Sequence, residues 1–352
     1  MTINESFILN VFKAMTVYRP KLGYLLPDDD SEDLDIRKLA AEIISGYPWP
    51  IGVELRRLLS ASMDRPERGR LDQIFRTLER TMQFLSFVLL IQLFEEHRKK
   101  PLSLPANFTN EFSRRFSTLT MGTFAWLIRI LGDIFTANAI PTFAVGMEKI
   151  LTNAFYKKLD FWTPERNEIG HYQITLTEEE VEVRCNEYLG RLESIIADIA
   201  FLIACPLLTI TEISVMKPKN QLPRFHHRML VLNSASSDFS GKDKDYDKFT
   251  DSHAVMLVNS LSNAPERYLN LSPLIIDTHF ETMGTREKLR KVRKDVYLYT
   301  KYSQKDQRLF YIGTEAEEKA DITAVSFYNQ LTVEFGELME AFAPEAPQEG
   351  GN

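Results

Sequence analysis

Cysteine is nearly absent from this chain: Cys185 and Cys205 are the only two in 352 residues. Both fall in one predicted helix, where a rise of about 1.5 Å per residue sets them roughly 30 Å apart, too far for a disulfide. No Cys/His spacing of the metal-binding kind occurs. Long apolar runs are missing too. Phe84–Phe94 is too short to cross a bilayer, and Ile195–Ile210 is interrupted by Asp198 and Pro206, as in a buried helix ending at the proline. The N-terminus lacks a basic region followed by an apolar core, so no secretory signal is expected, and the reading is a cytoplasmic protein without membrane contact. Glycine-rich phosphate loops, Gly-x-Ser-x-Gly and His-Glu-x-x-His are likewise absent, which argues against the common NTPase, hydrolase and zinc-protease classes. Positive charge is in deficit: 42 Lys and Arg stand against 49 Asp and Glu, a net charge of −7. An acidic body does not coat polyanions, so any nucleic-acid surface must be local.

What is present fits an ordinary folded chain, with 44% hydrophobic and 26% charged residues. The length suggests two domains. A weak N-terminal helix leads to the acidic loop Pro27–Asp33. Apolar residues at helical spacing (Leu34, Leu39, Ile43, Ile44) mark a helix over 33–45. Tyr47-Pro48-Trp49-Pro50 breaks it, and Ile51–Ala61 resumes. Leu71–His97 reads as one long helix with the core stripe Leu71, Ile74, Phe75, Leu78, Met82, Leu85 and Leu89. Helices are expected over 108–117, 121–136, 143–160 and 177–204.

At Pro206 helical periodicity gives way to short apolar runs between turn residues. Leu207–Met216, Arg228–Asn233, Ala254–Ser260, Tyr268–Phe280, Asp295–Tyr302 and Leu309–Ile312 are strand candidates, and Ser234–Asp251 reads as a polar loop. Helical spacing returns over Ala320–Ala343, before a Pro/Gly-rich tail. The predicted class is α+β: a helical domain over 1–205, a small β-rich domain over 206–316, a closing helix over 317–344 and a disordered tail over 345–352.

One stretch carries chemistry. Arg166-Asn167-Glu168-Ile169-Gly170-His171 places a permanent cation, a carboxamide and a base that titrates near neutrality within six residues. Histidine can take a proton from a ribose 2′-hydroxyl. Arginine can hold a phosphate bidentately and stabilise charge that builds on it. Asparagine can orient either group. Thr163-Pro164-Glu165 has the form of a helix start, with Thr163 as N-cap. On such a helix Asn167 and His171 share a face at i,i+4, with Arg166 beside it. Glu168 points elsewhere, free to pair with an arginine. Thr177-Glu178-Glu179-Glu180 has the form of a capping box opening the next helix.

Written as Arg-Asn-x-x-x-His, this motif before a long final helix resembles the signature of the HEPN superfamily. The segment from Tyr47-Pro48-Trp49-Pro50-Ile51 into Glu54-Leu55-Arg56-Arg57-Leu58-Leu59 is similar to that of bacterial HEPN-like proteins. The resemblance spans about residues 35–205. It implies a helical domain and a ribonuclease needing neither metal nor cofactor, with Arg166, Asn167 and His171 as catalytic residues. It further implies a homodimer in which two motifs face each other, and a role as toxin or antiviral effector, with RNA as substrate and a regulatory protein as a further partner. A toxin subgroup carries a tyrosine two places after the histidine. Here Gln173 stands there, and Tyr172, one residue early, is at most an accessory.

A second candidate is the run Arg286–Lys294, whose Arg290, Lys291, Arg293 and Lys294 precede Tyr297, Tyr299 and Tyr302. It reads either as an RNA-docking strip with stacking aromatics or as the flank of a half-buried strand. His226 and His227, adjacent on a strand, would face opposite ways and form no metal site. Alternatives to the nuclease are a non-catalytic dimerising adaptor and a nucleotide- or RNA-binding module without cleavage.

Overall fold

The computed structural model describes residues 3–26, 34–171, 176–234, 239–261, 267–277, 295–305, 308–317, 319–322 and 326–344, with the backbone alone for 3, 169–171, 319–322 and 326–329. The class is α+β. The helical part comprises α1 (Ile3–Thr16), α2 (Ile36–Gly46), α3 (Trp49–Leu58), α4 (Arg68–Lys99), α5 (Ala106–Phe116), α6 (Met121–Ala137), α7 (Asn153–Asp160), α8 (Trp162–His171) and α9 (Glu178–Asp198). Strands β1 (Leu207–Met216), β2 (Arg224–Val231), β3 (Ser240–Tyr246), β4 (Val255–Val258) and β5 (Tyr268–Asn270) form an antiparallel sheet in the order β3-β2-β1-β4-β5. A second antiparallel sheet runs β6 (Ile275–Asp277), β7 (Val296–Ser303), β8 (Arg308–Gly313) and β9 (Lys319–Ile322), and α10 (Ser326–Ala341) follows.

Helix α4 is the axis of the molecule. From Thr81 to Phe94 every residue is buried, which explains an apolar stretch that is a core helix rather than a membrane span. A helix buried on all sides must satisfy its polar side chains locally or across the core. Thr77, Thr81 and Ser86 donate to carbonyls one turn back, at 2.8, 2.7 and 2.7 Å. Gln83 donates to the Tyr299 carbonyl of β7 at 2.8 Å, and Gln92 donates to Pro141 O at 2.7 Å. Among the described residues, no helix is long and apolar enough to cross a membrane.

Pro206 marks the change in secondary structure, but the core runs across it. One hydrophobic cluster extends from Phe7 of α1 to Phe342 after α10. Tyr299 stacks on Phe116 of α5 with centroids 5.3 Å apart, and Phe342 packs edge-on against Phe112 at 5.2 Å. The break at Tyr47-Pro48-Trp49-Pro50 is the clasp of this joint. Tyr47 Oη donates to Ile196 O of α9 at 2.7 Å and fixes the break within the helical half, while across the joint Trp49 Nε1 donates to Asp295 Oδ1 at 3.3 Å and the Trp49 ring meets Phe239 edge-on. Gly52 of α3 leaves room for Ser234, whose hydroxyl donates to Ile44 O at 2.7 Å.

Several expectations need correction. The helix expected over 143–160 is split into a 3₁₀ turn, Met147–Leu151, and α7, because Gly146 takes φ +95, outside the helical region. The helix over 177–204 ends at Asp198 and continues as the 3₁₀ turn Ala200–Ala204. Ser234–Asp251 is not all loop: β3 lies within it, paired along its length with β2. Tyr268–Phe280 holds two strands, β5 and β6, joined by a turn. Ala320–Ala343 contains the end of β9 before its helix begins.

Candidate active site

The motif helix α8 follows α7 almost without a break, since Phe161 between them is itself helical at φ −60, ψ −39. Its start is therefore not capped by Thr163. Trp162 begins it, fully buried against Phe75 (5.6 Å) and Tyr188 (5.6 Å), and Pro164 sits in the first turn, where no intrahelical N–H bond is needed.

One face of α8 is bound to α9. Glu165 accepts from the Tyr188 hydroxyl and pairs with Arg184 at 3.4 Å, and Glu168 pairs with the same guanidinium at 2.8 Å. Burial, then Glu165, pushes the Tyr188 phenol well above its ordinary range, so it stays a donor, and Glu168 raises Arg184 further. Helix α9 opens with the expected capping box of Thr177 and Glu180. Glu168 is thus a positioning residue for the helix, as its angular position predicts.

The neighbouring face is turned outward. Arg166 and Asn167 are both exposed. Arg166 keeps 46% of its side-chain surface and reaches back to α4, where Nη2 lies 3.3 Å from Glu79 Oε2. His171 closes α8 one turn after Asn167, so the backbone brings the three candidate catalytic residues onto adjoining faces of one helix. The side chain of His171 and the whole of Tyr172 lie outside the described residues, as do Arg290, Lys291, Arg293 and Lys294. Tyr297 and Tyr299 beyond the basic run are buried in the core, so neither is available to stack on a base. His226 and His227 face opposite ways: His226 pairs with Asp245 at 2.7 Å, and His227 is fully buried.

A cavity in the β-rich half had no sequence signal. A cleft of about 510 Å³ opens between the two sheets and α10, lined by Asp251, His253, Asn270, Ser272, Asp277 and Glu334 among others. Its polar groups bond to one another: Asn270 Nδ2 donates to Asp251 Oδ2 at 3.0 Å and Ser272 Oγ donates to Glu334 Oε2 at 2.6 Å. His253 sits in the left-handed region at φ +58. The lining comes from four separated pieces of chain, so no spacing could announce it. Among the described residues, no group of three or more His, Cys, Asp or Glu could hold a metal ion.

No family model, curated protein or solved structure matches the chain. The functional reading therefore rests on the residues themselves.

Proposed function

We propose that this protein is a metal-independent endoribonuclease of the HEPN type, acting as a homodimer in growth arrest or antiviral defence. The observation that carries the reading is the two-sided character of α8. Its inner side is fixed by Trp162, Tyr188 and Arg184, while Arg166 and Asn167 are held out to solvent. A fixed helix presenting an arginine and an amide is suited to a phosphodiester, because the ordering cost is met before substrate arrives.

In this mechanism His171 takes the proton of a ribose 2′-hydroxyl. The 2′-oxygen attacks the adjacent phosphorus in line, the bond from phosphorus to the 5′-oxygen breaks, and a 2′,3′-cyclic phosphate forms. Arg166 stabilises the charge gathered on the phosphoryl oxygens, and Asn167 positions the phosphate or the imidazole. The leaving 5′-oxygen takes a proton from the second motif of the dimer. Two arginines meeting at such a composite site repel until an anion lies between them, so small changes in dimer geometry would switch activity. The β-rich half would serve as the sensor or partner-binding part.

The test compares wild type with His171→Ala on mixed cellular RNA in EDTA, with fragment ends mapped. Cleavage by wild type alone, leaving cyclic phosphates, supports the reading. Wild-type and variant digests with identical ends refute His171 as the base. The ion pair of Arg166 with Glu79 favours a second reading, a non-catalytic dimerising scaffold in which the motif is structural. That reading predicts no RNA cleavage and a thermal midpoint that falls when Arg166 is removed.

A further inference from the structure

The ion pair at the motif has a second layer. Glu79, the partner of Arg166, stands one helical turn after Arg76 on α4, at the i,i+3 spacing where opposite charges pair. Arg76 is engaged elsewhere: its Nη1 lies 2.6 Å from Glu317 Oε1, in the segment after β8. Glu317 is itself held by Arg57 of α3 at 3.3 Å and takes the left-handed conformation at φ +54. A line of alternating charge thus runs from the β-rich half to the motif: Glu317, Arg76, Glu79, Arg166. In the state observed, Glu317 occupies Arg76 and leaves Glu79 to Arg166.

We propose that Glu79 is an internal stand-in for the substrate phosphate that holds Arg166 in reserve, and that the Arg76–Glu317 pair decides whether it does. When Glu317 releases Arg76, Arg76 takes Glu79 and Arg166 is freed for an RNA phosphate. The inference rests on the nuclease reading, because it needs Arg166 to be the phosphate-binding group. The chemistry is a competition between two anions for one guanidinium. A carboxylate offers it a single 3.3 Å contact here, whereas a phosphate can engage it bidentately. Both side chains are accessible enough for the exchange, with Arg166 at 46% and Glu79 at 27% exposure. The coupling needs no movement of α4 or α8, only a change of partner along one helix face.

The experiment measures binding of a 2′-O-methyl oligoribonucleotide, which lacks the nucleophile and cannot be cut, by fluorescence anisotropy at low salt. Glu79→Gln is expected to bind about two- to fivefold tighter than wild type, the range an exposed pair of this kind supports. Glu317→Gln is expected to gain similarly, and to lose the gain when combined with Arg76→Ala. Both gains should vanish in an Arg166→Ala background. If Arg166→Ala weakens wild-type binding but Glu79→Gln does not tighten it, the reserve role falls and the phosphate-binding role of Arg166 stands. If Glu79→Gln gains and Glu317→Gln does not, the link to the β-rich half is overturned. If Arg166→Ala changes neither binding nor cleavage, the nuclease reading falls and takes this inference with it. These are surface side chains, and thermal midpoints within about a degree of wild type confirm that each variant is folded.

Discussion

Removing the carboxyl group of Asp295 should open the joint between the helical half and the second sheet. Asp295 is fully buried and accepts hydrogen bonds from five donors: Trp49 Nε1, Val296 N, Thr314 Oγ1, Glu315 N and Ala316 N. In Asp295→Ala all five lose this acceptor, although the Thr314 hydroxyl keeps the Val296 carbonyl at 3.0 Å. Glu315 and Ala316 lie in a half-exposed turn that water can reach, but Trp49, Val296 and Thr314 are buried to within 1%. A dry, unsatisfied donor costs about 1–3 kcal/mol. Two of them, Trp49 Nε1 and Val296 N, partly relieved by water entering the vacated space, give a loss of roughly 2–4 kcal/mol. For a chain of this size that corresponds to a fall of about 3–5 °C in the thermal midpoint, read by circular dichroism or calorimetry. Asp295→Asn separates chemistry from volume. Its amide oxygen can keep the Oδ1 bonds, while its NH2 group would face the Glu315 and Ala316 N–H groups donor to donor, so about half the loss is expected. The pair Trp49→Phe and Asp295→Ala should couple by about 1 kcal/mol, because each change removes the same bond. A midpoint for Asp295→Ala within a degree of wild type would refute the reasoning.

Gly52→Ala sets a methyl group 2.5 Å from the Ile44 carbonyl oxygen and closer still to Ser234 Oγ, so about 1–3 kcal/mol of overpacking is expected; Ser234→Ala should restore only part of it, by thermal melting. Burial, which outweighs the bond from Phe225 O, lowers the pKa of His227 below its ordinary 6.5. A neutral buried histidine binds fewer protons than the unfolded chain, so stability is full above about pH 6.5 and declines as pH falls from there toward the folded value. Melts between pH 7.5 and 5 should show this slope, and His227→Gln should flatten it. Arg166→Ala should lower RNA cleavage by about a hundredfold or more while leaving the melting point within a degree, because an exposed ion pair contributes at most about 1 kcal/mol. A melting point that falls together with activity would make the residue structural.

The parts of the fold that can be read from the sequence are those where local pattern and burial agree. Helix α4 declares itself through a stripe repeated over many turns, α9 through its capping box, and β1 through a continuous apolar start. The parts that cannot be read are set by partners. Ser-Gly-Lys-Asp-Lys-Asp-Tyr of β3 is exposed on both faces until Tyr246, so no alternation marks it, and it is a strand because β2 offers it a ladder. Its alternating Lys and Asp also suit a sheet edge, where charge discourages pairing with another chain. The start of α8 lies before Thr163 for a similar reason: buried Trp162 outweighs the local capping signal of Thr163.

The two segments that carried the family resemblance now separate. Tyr47, Trp49 and Ile51 are fully buried, Tyr47 is hydrogen-bonded to α9 and Trp49 to Asp295 across the joint between the two halves, so packing accounts for them without any appeal to catalysis. Arg166 and Asn167 have no such account. They stand on the outer face of a helix already anchored by other residues, and the only described bond of Arg166 is to a side chain that an anion could displace. An exposed pair that contributes little to folding is free to be chosen for chemistry. Substitutions at Arg166, Asn167 and His171 should therefore lower activity at unchanged stability, and those at Tyr47 and Trp49 are the control: they should lower stability first, and activity only as a consequence of unfolding.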